Sequence, residues 1–521
     1  MKKLLMVAMA ISMVTTIGCK QKGVEKSPIQ QKVDEYAEYT LSSDLVAELT
    51  DKEKELVGVM IDIAKVMDDL YWEQTFGTAN RKALDDLSDP AMRAFAQIQY
   101  GAWDRLDSKK PFLPGYGEKP LGATFYPEDM TKEEFEALED PEKTSQYTVI
   151  RRGEDGRLKV VPYHEEYKEQ LKRVDELLAK AIELAENEGL KAYLVERRKA
   201  FQTDDYYSSD IAWMNMKDSR LDFVVGPIEN YEDELYGYKT AYESFILLKD
   251  TAWSNRLSRF TALLPRMQTL LPVEAQYKPQ LQDAASDLNV YDVVYYAGDC
   301  NAASKTIAIN LPNDERIHAT YGTRRLQLKN AMRAKFDKIL VPIADLMICD
   351  SQMKNITFNA FFSNVCYHEV AHGLGVKQTI GENPQSLRKA LMEQYSAWEE
   401  AKADICGLFL AKQLVEQGYI DDVTVEDIYV TYVAGILRSV RFGAAEAHGV
   451  ANMMCFNFMQ DKGAFSRDSE GKYVVDIEMM TEAMNEWAAL ILKVEGDGNY
   501  EFAKQYAAEN AELTEDELEE K

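Results

Sequence analysis

Tyr367-His368-Glu369-Val370-Ala371-His372-Gly373-Leu374-Gly375 carries the pattern H-E-x-x-H, and twenty-seven residues after its second histidine begins Glu399-Glu400-Ala401-Lys402-Ala403-Asp404. On an α-helix His368 and His372 fall one turn apart on the same face. Both imidazoles then reach one cation while Glu369 points at the water it binds. The preceding run, residues 359–367, is apolar and lacks Gly and Pro, and Gly373 and Gly375 stand where helices commonly stop. A catalytic zinc takes three protein ligands and keeps one position open. Glu400 supplies the third, with the adjacent Glu399 as the alternative. Asp404, one turn beyond Glu400, can accept the free ring N–H of a ligating histidine and fix its tautomer. The pattern predicts a hydrolase with one zinc per chain and Glu369 as its base. A plain buried helix with two satisfied histidines would have no reason to be followed by the second motif.

Working outward, the 521 residues suffice for one large two-lobed body or two to three domains. Residues 1–18 have a basic start at Lys2 and Lys3 and a short apolar run, with Gly18 before Cys19. This reads as a bacterial lipoprotein signal with lipidation at Cys19, although Thr16 stands where a leucine is usual. The expectation is an exported lipoprotein on the periplasmic face of a membrane or at the cell surface, held by its lipid alone. A plain secretory signal or an uncleaved anchor is the alternative. Loss of the leader removes two lysines and no acid, so the formal charge moves from −28 to −30. Such a field repels nucleic acid and favours cationic peptides, although acidic surfaces also serve solubility alone. Cys300, Cys349, Cys366, Cys406 and Cys455 are far apart and mostly in apolar runs, so they are expected to be buried free thiols.

Residues 19–32 are polar and read as a tether. From 33 to about 103 the pattern is helical, with Thr50 as an N-cap, and 111–140 reads as loop. Residues 147–151 and 158–163 form a hairpin pattern, and helical patterns run from 165 to about 200. Strand-like segments follow at 221–225, 290–296 and 306–311. From 355 onward the chain reads as almost wholly helical, ending in the acidic stretch 509–521. The division expected is a mainly mixed α/β lobe over 33–345 and a mainly helical, zinc-bearing lobe over 346–508.

With both motifs in place, the chain resembles the dipeptidyl peptidase III family of zinc peptidases. That family usually has H-E-x-x-G-H, followed by E-E-x-x-A-E or E-E-x-x-A-D. Here the second motif is present as Glu399 to Asp404, and the first is contracted to five residues, as in shorter bacterial members and in some plant proteins fused to a Nudix domain. No Nudix box is visible, and the resemblance covers the whole mature chain. Less specific matches lie at Gly226 to Asp233, at Ile309 to Asn313 and at Ala445 to His448. The resemblance implies that Glu229, Asn310 and Asn313 hold the substrate's amine and first peptide units, and that Tyr231 and His448 face the scissile carbonyl. Each also has a plain reading, as a surface carboxylate, turn residues around Pro312 or a satisfied core histidine.

The fold implied is α+β, predominantly helical, with two lobes around a wide cleft and a small β-barrel in the mixed lobe; the chain is expected to cross between lobes. The activity implied is release of dipeptides from short peptides with a free N-terminus. A zinc aminopeptidase, an oligopeptidase with loose end-recognition and a peptide-binding surface lipoprotein that keeps zinc structurally are the rivals.

Overall fold

The computed structural model describes residues 26–36, 38–281, 287–440 and 447–511. The leader, Cys19, Ala445, Glu446 and the last ten residues of the acidic stretch lie outside them. Helix α1 (Pro28–Asp34) begins inside the stretch read as a tether. Ser27 caps it, Pro28 fits its first turn, and Lys32 reaches Asp104 and Asp107, so this segment docks on the body. Helix α2 (Asp51–Thr75) starts where expected: Thr50 and Glu53 form a reciprocal capping box that satisfies two free N–H groups. Within 111–140, read as loop, Lys132–Ala137 is a short helix under a second capping box, Thr131 with Glu134. The hairpin is present as β1 (Thr148–Arg152) and β2 (Leu158–Pro162), and helices α3 (Lys168–Leu184) and α4 (Glu188–Thr203) follow.

Strands β3 (Leu221–Glu229) and β4 (Ala241–Lys249) lead through helix α5 (Thr251–Thr261) to β5 (Asp287–Gly298), β6 (Ala308–Leu311) and β7 (Arg324–Leu328). They form a five-stranded sheet in the order β3-β4-β5-β7-β6, antiparallel except for the β5–β7 pair. The barrel implied by the resemblance is therefore half a barrel. Its edge strands β3 and β6 share no ladder, but Asn313, just past β6, donates its Nδ2 hydrogen to the carbonyl of Ile228 on β3 at 3.2 Å. A seam thus remains between the two edges, bridged by a side chain.

The helical part consists mainly of α6 (Phe358–Ala371), α7 (Tyr395–Glu416), α8 (Val425–Val440), α9 (Ala447–Asp461) and α10 (Ile477–Asp497), with one small hairpin at 465–467 and 473–475. Two apolar cores result. One packs α2, α3 and α4 against the sheet; the other holds α6 to α10. Leu257, Phe260, Leu264 and Met267 belong to the second core although they precede β5, so the chain passes between the cores more than once. Fully buried Phe362, Trp398, Leu410 and Trp487 anchor the helical core, each contributing about 1.5–3 kcal/mol by removal from water. The five described cysteines away from the leader are all buried and free. No helix among the described residues is long and apolar enough to cross a membrane.

Candidate active site

Helix α6 starts at Thr357, whose hydroxyl accepts from the N–H of Ala360, and buries Phe361, Phe362, Cys366 and Val370. His368 lies in its last turn, and His372 is the cap residue just after Ala371. Helix α7 crosses close to α6 because of Gly407. A Cβ there would stand 2.8 Å from the backbone nitrogen of His368 and 2.9 Å from the carbonyl carbon of Tyr367. Glu400, Asp404 and Gly407 follow one another at helical spacing, so the stripe that fits against α6 is also the stripe that carries the carboxylates.

The carboxylate oxygen Glu400 Oε2 lies 3.2 Å from His368 Nε2, 3.8 Å from His372 Nε2 and 3.1 Å from His448 Nε2. Behind the rings, His368 Nδ1 is 2.6 Å from Asp404 Oδ1 and His372 Nδ1 is 2.8 Å from Glu399 Oε1. Each Nδ1 therefore gives its hydrogen to a carboxylate and turns Nε2 to the front, where a metal would take the place of any proton it carries. Glu399 and Glu400, interchangeable in the sequence, are separated here: Glu399 backs His372, and Glu400 faces the Nε2 atoms.

Oε2 of Glu400 is buried yet accepts no hydrogen bond. Donor atoms 2.0–2.2 Å from a tetrahedral cation lie about 3.3 Å apart, so the spacing fits a zinc between them. The charge fits as well. Burial opposes a proton on His368, yet Asp404, Glu400 and Glu369 raise it to about 10, a measure of how strongly these carboxylates favour a cation. Burial also opposes ionisation of Glu400, but His368 and His448 hold its carboxyl well below the usual range. The tightest trio is His368, Glu400 and His448, in place of the expected set with His372. The His448 side chain is 63 % exposed, whereas that of His372 is 24 % exposed and fixed from behind by Glu399. His372 is thus the more rigidly held of the two, and His448 the more open to solvent.

The residues assigned to the substrate gather at the seam of the sheet. Glu229 ends β3, Asn310 lies exposed on β6, and Asn313 follows it. Burial raises the Glu229 carboxyl while a hydrogen bond from Asn313 opposes the rise, so these two are in contact. Tyr231 is 73 % exposed, and the charge of Glu229 is the main influence raising its phenol. Arg325, which pairs with Asn310 across the β6–β7 ladder, donates from Nη1 to the backbone carbonyl of Glu369 at 3.2 Å. One guanidinium thus joins the strand carrying Asn310 to the helix end carrying Glu369.

Sequence reasoning passed over Arg325, Lys402 and Gly407. For Lys402 a signal existed, since it stands three residues after Glu399 on a helix face. Arg325 and Gly407 act through contacts between distant segments and carry no local mark.

A histidine pair with a glutamate between them, backed by carboxylates from the next helix and set beside a strand seam, defines the class: this is a metallopeptidase. The sequence model of peptidase family M49 matches residues 131–386. The fold resembles the dipeptidyl peptidase III of Caldithrix abyssi, with a TM-score of 0.88 and 38 % identity over 94 % of this chain and 95 % of that one. It also resembles the dipeptidyl-peptidase III of Corallococcus sp. strain EGB, with a TM-score of 0.74 and 33 % identity over 95 % of each chain. Nudix hydrolase 3 of Arabidopsis thaliana is 34 % identical over 536 aligned positions, covering 90 % of this chain and 69 % of that protein. The chain belongs to peptidase family M49, the dipeptidyl peptidase III family of zinc metallopeptidases.

Proposed function

We propose that this peptidase is a zinc-dependent exopeptidase that releases dipeptides from the free N-terminus of short peptides. The observation that carries the reading is the buried Oε2 of Glu400, without a hydrogen bond and faced by imidazole Nε2 atoms whose far sides are fixed by carboxylates. His368, His372 and Glu400 would hold the metal. Zinc, when bound, lowers the pKa of its water towards about 7 and polarises the scissile carbonyl. Glu369 takes the proton of that water and delivers it to the leaving amine. Tyr231 and His448 donate to the carbonyl oxygen as it gains charge, an effect typically worth about 3–4 kcal/mol per donor. Their exposure suits groups that meet a substrate.

Glu229 pairs with the peptide's ammonium, and Asn310 and Asn313 hold its first peptide units. Burial at the seam makes the Glu229 carboxylate costly to leave unpaired, so a free amine is preferred to a blocked one. The span from that amine to Glu369 then sets the length of the product, whatever the side chains. The formal charge of −28 favours cationic peptides.

Mass spectrometry of the products tests this. Unblocked peptides of about four to eight residues are expected to lose two residues at a time, and their N-acetylated forms to resist, because acetylation removes the charge that Glu229 meets. Single amino acids would assign an aminopeptidase, and internal cuts in blocked peptides an oligopeptidase. Zinc retention with no cleavage would leave a peptide-binding protein.

A further inference from the structure

Lys402 fills a variable position of the second motif, yet its side chain is 0 % exposed. Burying an ammonium costs several kcal/mol of lost hydration, so an apolar residue would serve packing better. Its Nζ donates to both oxygens of Glu399, at 2.8 Å each, and Oε1 of Glu399 accepts from His372 Nδ1. Past Lys402 lies Glu495 of α10, also buried, with neither carboxylate oxygen hydrogen-bonded. Burial pushes the Glu495 carboxyl up to about 8 against the pull of the Lys402 charge, so Glu495 faces the ammonium without bonding it, while Glu399 takes its hydrogen bonds.

The two histidines of the motif differ in what holds them. His368 lies within α6, and its partner Asp404 has no lysine or arginine paired with it among the described residues. His372 is the cap residue: its N–H still bonds the carbonyl of His368 at 3.2 Å, but it stands at the helix end, where helices fray. There, Lys377 Nζ donates to the His372 carbonyl at 2.6 Å, and the Glu399–Lys402 pair holds the ring.

We propose that Lys402 is a positioning residue for His372: by clamping both oxygens of Glu399 it fixes the tautomer and direction of an imidazole carried at the very end of its helix. The inference rests on the zinc reading above. Lys402→Met is expected to raise the zinc Kd about tenfold in chelator competition, at the lower end of what ligand-supporting residues contribute. The visible bands of the cobalt-substituted protein are expected to shift with it. If Lys402 acts through Glu399, the double variant Lys402→Met/Glu399→Gln binds zinc no more weakly than Glu399→Gln alone. Additive losses, or a wild-type Kd in Lys402→Met, overturn the proposal. Since loss of one buried charge can unfold a chain, Lys402→Met/Glu495→Met, which removes both groups of the buried pair, is measured in parallel. The same tenfold rise is expected there, and a wild-type Kd there also overturns the proposal. A wild-type chain that binds no zinc overturns the function reading together with this one; tight wild-type binding that Lys402→Met leaves unaltered overturns this one alone.

Discussion

The helix pair α6–α7 and the strand seam β3–β6 treat their polar groups in opposite ways. On the helices, each ring's rear nitrogen is bonded to a carboxylate, and one of those carboxylates is bonded in turn to a buried lysine. At the seam, Tyr231 and Asn310 stand open to solvent, and the side chain of Asn313 bridges the edges. The helices are organised before anything binds; the seam, on the function proposed above, is completed by a peptide. Losses on the helix side should therefore appear in metal content or in turnover, and losses at the seam in apparent affinity.

Glu369→Gln puts this to the hardest test. Turnover is expected to fall by about 10²–10⁴-fold or more, since an amide cannot accept the proton, while metal analysis still finds one zinc. Full activity would remove the helix side from the chemistry. His448→Ala comes next, with kcat reduced by about 10²–10³-fold and zinc retained. Loss of zinc in that variant would make His448 a ligand and move part of the metal site off the α6–α7 pair. Asp404→Ala is expected to weaken zinc binding by about 10- to 100-fold in chelator competition. Glu229→Ala is expected to raise KM by roughly tenfold, for a lost charge-assisted hydrogen bond of about 1.5 kcal/mol or more, with kcat little changed. A fall in kcat with KM constant would show the seam acting only in the transition state. Gly407→Ala comes last because it is read in stability and metal content and touches no reacting group. Helix propensity returns about 1 kcal/mol, but the added methyl would stand 2.8 Å and 2.9 Å from backbone atoms of His368 and Tyr367; α6 and α7 must part, overpacking costs about 1–3 kcal/mol or more, and a lower denaturation midpoint with weaker zinc binding should result.

The helix side was readable because its donors come from two continuous stretches at helical spacing; the place of Asp404 behind His368 followed from counting turns, whereas Glu399 and Glu400 were told apart only by the structure. What could not be read there was depth. Lys402 looks like a surface residue until the packing of α10 over α7 buries it. The seam was legible only through resemblance, because Glu229 and Asn313 are distant in sequence and meet by the curl of the sheet. Strand β4 went unnoticed for a related reason. Eight of its nine residues are buried, Glu243 among them, so the alternation that marks a half-exposed strand is absent. Short helix Lys132–Ala137 was overlooked although Thr131 and Glu134 spell its cap, because the surrounding prolines and glycines suggested loop.

Gly407 implies something about transplanting this chemistry. Copying His368, Glu369, His372 and Glu400 onto two helices of another protein would reproduce every donor and still miss the site, because the donors meet only where the helix backbones nearly touch. What a designer would have to carry over is an approach distance, written in the sequence as a missing methyl group seven residues from the carboxylate it serves.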